Sequence, residues 1–108
     1  MDQKISSTIE QAEAFLVSAQ NELCKPEEDA VPYSICKYAH GAIVNFLSAY
    51  LMRNGRDVPE SHTVEELLTF CREVNPQLDI WMNMDTANDF YKMAEKTKAM
   101  VDPALTSN

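Results

Sequence analysis

The stretch ISSTIEQAEAFLVSAQNELC places Ile5, Ile9, Ala12, Leu16, Ala19 and Leu23 at alternating steps of four and three. Such spacing returns apolar side chains to one stripe of a helix with about 3.6 residues per turn, whereas a strand would scatter them over both faces. A helix over residues 4–24 follows, and its stripe has to be covered by other elements. Glu10, Glu13, Gln20 and Glu22 are expected on its polar side.

KPEEDA interrupts the pattern, and Pro32 opens a second helix, because a first-turn proline gives up an N–H that has no partner there. Ile35, Ala39, Ala42, Phe46, Ala49 and Met52 carry this helix to residue 53, while Ile43, Leu47 and Tyr50 widen its apolar face. The spacing therefore predicts a central helix, with Gly41 and the alanines admitting close neighbours. Ala39, Ala42, Ile43 and Phe46 are more than one adjacent helix can cover, which suggests a second copy of the chain at this face.

Asn54-Gly55 stops the helix, since both residues tolerate the left-handed backbone. Thr63 and Glu66 have the spacing of a capping box and open a third helix over residues 63–74, with Leu67, Leu68, Cys71 and Val74 inward. Asn75-Pro76 breaks the chain again, and a short helix is expected over 77–83. Ala87, Phe90, Met93, Ala94, Thr97 and Met100 define a last helix over 86–101, ending near Asp102-Pro103 before a tail over 102–108. The expected fold is a single all-α domain: an antiparallel up-down bundle of four main helices plus one short helix.

The net charge of −8 excludes an extended DNA-binding surface, because such surfaces work by neutralising phosphates. Cys24, Cys36 and Cys71 show no C-x-x-C spacing, and no metal-ligand pattern, P-loop or glycine-rich phosphate loop occurs. No metal or cofactor is expected. Without a leader-like segment or a long apolar run, the chain reads as cytoplasmic, with no membrane contact.

Candidate chemistry concentrates in RNGRDVPESHTVEELL, residues 53–68. Metal-independent RNA cleavage needs a base for the 2′-hydroxyl proton and a cation for the charged phosphorane, and His62 with Arg56 supplies that pair, with Asp57 to orient the cation. The alternative is a polar turn, in which His62 packs over Leu67 ahead of the Thr63 cap and Arg56 pairs with Asp57 or Glu60. A second candidate is a nucleotide or partner groove formed by Lys37, His40 and Arg53. For Lys37 and His40 the alternative is a helix-helix edge. Lys92, Lys96 and Lys98 read as a solvated face, and the methionines as core filling.

The helix YSICKYAHGAIVNFLSAYL, the turn GRDVPESH and the helix TVEELLTFC, in that order, resemble the HEPN domain over roughly residues 5 to 101. The resemblance implies a small helical bundle that commonly dimerises. It also implies a role as a nucleotide- or RNA-associated accessory domain or a toxin-antitoxin component, with a nucleotidyltransferase as partner protein. Ribonucleases of the family carry an Arg, a polar residue and a His on a late helix at the dimer interface. Arg56, Asp57 and His62 keep that spacing but fall in a turn after the second helix, and Tyr91-Lys92-Met93 stands where an Arg-Tyr-Pro segment is common. A different class of function is a non-catalytic helical interaction module with an acidic surface.

Overall fold

The computed structural model describes residues 3–26, 28–58, 63–76 and 87–106. They form four helices: α1 (Gln3–Leu23), α2 (Pro32–Arg53), α3 (Val64–Val74) and α4 (Ala87–Thr106). Among the described residues there is no strand, and no helix is long and apolar enough to cross a membrane. The short helix expected over 77–83 lies outside the described residues.

Helix α2 is the centre of the domain. Ile35, Ala39, Ala42 and Ile43 are buried, and from Phe46 to Leu51 six consecutive residues are buried. At about 100° per residue, six in a row sweep the whole circumference, so this segment is buried all the way round. Helices α1, α3 and α4 all pack against α2. Ala39, Ala42, Ile43 and Phe46 are each fully buried within one chain. The expectation that these four need a second copy to cover them is therefore corrected: three helices cover what one could not.

The α1–α2 contact depends on a close approach. A Cβ placed on Gly41 would stand 2.9 to 3.0 Å from the Phe15 ring, so the ring lies directly on bare backbone. Tyr38, one turn earlier on α2, completes the contact, with ring centroids 6.5 Å apart and planes tilted by 33°. Ala12 and Ala19 on α1 are also fully buried, and small residues of this kind set how near two helix axes can come.

A second tie joins the same two helices at their connection. Glu22 is buried, not on the solvated side that its charge suggests. Its Oε1 accepts the backbone N–H of Val31, the N-cap of α2, at 2.9 Å, and its Oε2 pairs with Lys25 Nζ at 2.9 Å. The Lys25 ammonium and the Val31 N–H hold the carboxyl below its ordinary value, outweighing the effect of its burial. Pro32 follows as the first residue of α2, as its missing N–H predicts.

Helix α3 opens with the expected capping box: Glu66 N–H donates to Thr63 Oγ1 at 3.1 Å and Thr63 N–H to Glu66 Oε1 at 3.3 Å. Val64, Leu67, Leu68 and Cys71 form its buried face. The Cys71 thiol donates to the Leu47 carbonyl, 3.6 Å away, and burial pushes its pKa up to about 12, which removes it as a nucleophile. In α4, Met93, Ala94 and Thr97 are fully buried, and the Thr97 hydroxyl donates to the Met93 carbonyl at 2.7 Å.

The end of α4 departs from expectation. Asp102-Pro103 does not end it, and helical backbone runs on to Thr106. Proline already has a helical φ and removes one N–H donor, and Ala104 and Leu105 are strong helix formers, so one more turn is accessible.

Two outcomes follow from these contacts. Alanine is favoured over glycine in a helix by about 1 kcal/mol, but overpacking against a ring costs about 1 to 3 kcal/mol. Gly41→Ala is expected to lower stability in urea denaturation, with positive coupling to Phe15→Leu in a double-mutant cycle; a raised midpoint would show that the ring yields freely. For Glu22 the folded pKa lies below the ordinary 4.5. Its contribution is therefore present above that value and is lost as pH falls through the folded pKa. The difference in melting temperature between wild type and Glu22→Gln should be present at pH 7 and shrink only once the pH has fallen below 4.5.

Candidate functional site

The end of α2 fixes where Arg56 begins. Gly55 has φ +70°, the left-handed conformation that closes a helix. Its N–H donates to the Met52 carbonyl at 3.0 Å, and the Arg56 N–H reaches back to the Leu51 carbonyl at 2.9 Å. These two bonds form a Schellman motif, and Asn54 Nδ2 adds a bond to the Tyr50 carbonyl at 2.8 Å. The backbone of Arg56 is thus held by the helix, while its side chain and that of Asp57 are exposed. Val58 turns back and packs on the core.

A groove of about 500 Å³ opens beside this turn, lined by Lys4 and Thr8 of α1, Asn45, Ser48 and Met52 of α2, and Arg56, Asp57 and Val58. Lys4 and Thr8 are one turn apart, as helical neighbours must be, and the Thr8 hydroxyl donates to the Lys4 carbonyl at 2.8 Å. Asn45 Nδ2 donates to the Gly41 carbonyl at 2.7 Å. Two cations, one carboxylate, two hydroxyls and an amide around one concavity suit a phosphate and a sugar better than an apolar ligand.

Of the residues singled out in the sequence, Arg56 and Asp57 share this groove, and His62 lies outside the described residues. Lys37 and His40 are exposed, one turn apart on α2. Arg53 is partly buried at the end of the same helix, thirteen residues beyond His40. At about 1.5 Å and 100° per residue, that separation is about 20 Å along the axis and about 140° around it. Lys37 and His40 therefore stand together in the first part of α2, and Arg53 stands at its far end. Lys4, Thr8, Asn45, Ser48 and Met52 were not singled out, although Asn45, Ser48 and Met52 repeat at steps of three and four, the spacing of one helix face. Among the described residues, no group of three His, Cys, Asp or Glu side chains is placed to hold a metal ion.

The turn and its side chain separate cleanly by mutation. Gly55→Ala forces a left-handed conformation on a residue with a Cβ, at about 1 to 2 kcal/mol, whereas Arg56→Ala changes an exposed side chain and stays within about 0.5 kcal/mol. Urea midpoints of the two variants check this. A loss for Arg56→Ala as large as that for Gly55→Ala would assign the guanidinium a structural task.

Comparison with curated proteins and with solved structures gave no match. The sequence model of the HEPN domain matches residues 5–101, which begins in the first turn of α1, takes in all of α2 and α3, and ends within α4. With a match over most of its length, the chain belongs to the HEPN domain family.

Proposed function

We propose that this chain is a HEPN accessory domain that binds a nucleotide or RNA at the groove beside Arg56 and does not cleave it. The observation that carries this reading is the convergence of Lys4 and Arg56 with Thr8, Asn45 and Ser48 on one concavity. Arg56 meets phosphate oxygens, Lys4 adds a second positive charge, and Asp57 restrains the guanidinium or accepts a sugar hydroxyl. In this proposal the helices are stacked up-down, the chain forms a homodimer, and a nucleotidyltransferase is its partner in a toxin-antitoxin pair.

The residues able to carry cleavage are Arg56, Asp57 and His62, with the imidazole as base and the guanidinium opposite the developing phosphorane charge. Exposure of both Arg56 and Asp57 favours binding over cleavage, because transition-state stabilisation gains its strength where water is excluded. A specific observation supports a second reading, that of a non-catalytic protein-interaction module: a net charge of −8 repels polyanions and attracts basic partners.

ATP or GTP at millimolar concentration is expected to raise the melting temperature of wild type and not that of Arg56→Ala. A ligand at ten times its Kd contributes about 1.4 kcal/mol to the folded state. Structured and single-stranded RNA should remain intact with wild type, Arg56→Ala and His62→Ala alike. Loss of RNA with wild type that either substitution abolishes would replace binding with ribonuclease activity. No thermal shift and no RNA retention would leave the interaction module.

A further inference from the structure

A second groove of about 500 Å³ runs between α1 and α4, lined by Glu13, Leu16, Val17 and Gln20 on one side and Tyr91, Glu95, Lys98 and Ala99 on the other. On α1 these positions follow the i, i+3, i+4, i+7 pattern of one helix face. Counting about 100° per residue, that face lies roughly 150° around α1 from Lys4 and Thr8. The two grooves are therefore on opposite sides of the helix, and this one is untouched by the nucleotide reading.

Its composition is that of an unfilled helix contact. Helices α1 and α4 meet over a narrow strip only, whereas each packs broadly on α2. Val17 stands 52% exposed beside partly buried Leu16, which leaves a large apolar side chain in water in the middle of the groove. Glu13 and Glu95 provide carboxylates on the two walls, against the single cation Lys98. The Tyr91 hydroxyl is hydrogen-bonded to Glu95, and burial together with that carboxylate raises its pKa above the ordinary value. The groove extends about 10 Å along α1 and about 12 Å along α4, the length of two helical turns.

We infer that the α1–α4 groove seats an amphipathic helix of a partner protein, one that places an apolar residue over Val17 and Leu16 and basic residues against Glu13 and Glu95. Charge selects this occupant: the walls carry a net negative charge within a chain of net charge −8, so a basic helix is steered to the groove and an acidic one is repelled. Recognition is of the helix-in-groove type, with anchors at i, i+3 or i+4 and i+7. A second copy of this acidic chain would bring like charges together at the same walls.

The probe is a fluorescein-labelled synthetic helix of about 14 residues, with leucines at i, i+4 and i+7 flanked by lysines, titrated with the full chain and followed by anisotropy. Amide shifts in the NMR spectrum locate its site. Saturable binding is expected, with shifts confined to residues 13–20 and 91–99. Affinity should fall about tenfold or more in Val17→Asp and in Glu13→Lys/Glu95→Lys, and a peptide with glutamates for lysines should not bind. Because Val17 is exposed, circular dichroism of Val17→Asp should match wild type, and the thermal shift by nucleotide should persist in this variant. Equal affinity for wild type and Val17→Asp, shifts elsewhere on the domain, or a wild-type dimer that Val17→Asp converts to a monomer would each overturn the assignment.

Discussion

The six buried residues from Phe46 to Leu51 are the constraint from which the rest of the domain follows. A helix segment buried at six successive positions is stable only when neighbours pack around it, and the other three helices all do so. Their own sequences reflect that single task. Helix α1 offers Ala12 and Phe15, α3 offers Leu67, Leu68 and Cys71, and α4 offers Met93 and Ala94. None of the three has to be apolar on more than one side, which leaves their outer faces for charge and for grooves.

This arrangement also sets where the surface becomes concave. Alanines and Gly41 bring α1 close to α2 along the middle of the contact, and the register fixed by Phe15 on Gly41 carries Lys4 and Thr8 to the level of Asn45, Ser48 and Met52. Beyond them the Schellman turn adds Arg56 and Asp57 as the third wall. On the other side, α1 and α4 are held apart because both rest on α2, and their separation opens the second groove. Site geometry here follows from helix spacing, and side-chain chemistry then distinguishes the two concavities.

Much of this was legible in the sequence where the information is local. The stripe of α1, the first-turn proline of α2, the Asn54-Gly55 stop and the Thr63–Glu66 box each depend on residues within a few positions of one another. Arg56 and Asp57 stood out for the same reason. The groove they line did not, because the wall of Lys4 and Thr8 comes from residues more than forty positions earlier in the chain and meets the others only through the α1–α2 register. Glu22 was hidden differently. It lies three residues after Ala19 on the buried stripe, but its charge marked it as solvated, and one of its two partners is a backbone N–H that no side-chain pattern reveals. Pro103 misled in the opposite direction, since a strong breaker rule met a chain that needed only one further turn.

The Schellman turn has a consequence for how this part of the molecule tolerates change. Because the N–H groups of Gly55 and Arg56 are bound to carbonyls of the preceding helix turn, the guanidinium is rooted in α2 and not in the connection that follows. Residues inserted after Val58 lengthen the connection to α3, and the entropic cost of closing a longer connection grows only with the logarithm of its length. They leave the root of Arg56 where it is. Variation in the connection and constancy of the cation are thereby mechanically separable, so this fold can remodel what approaches the groove without rebuilding the wall that holds its charge.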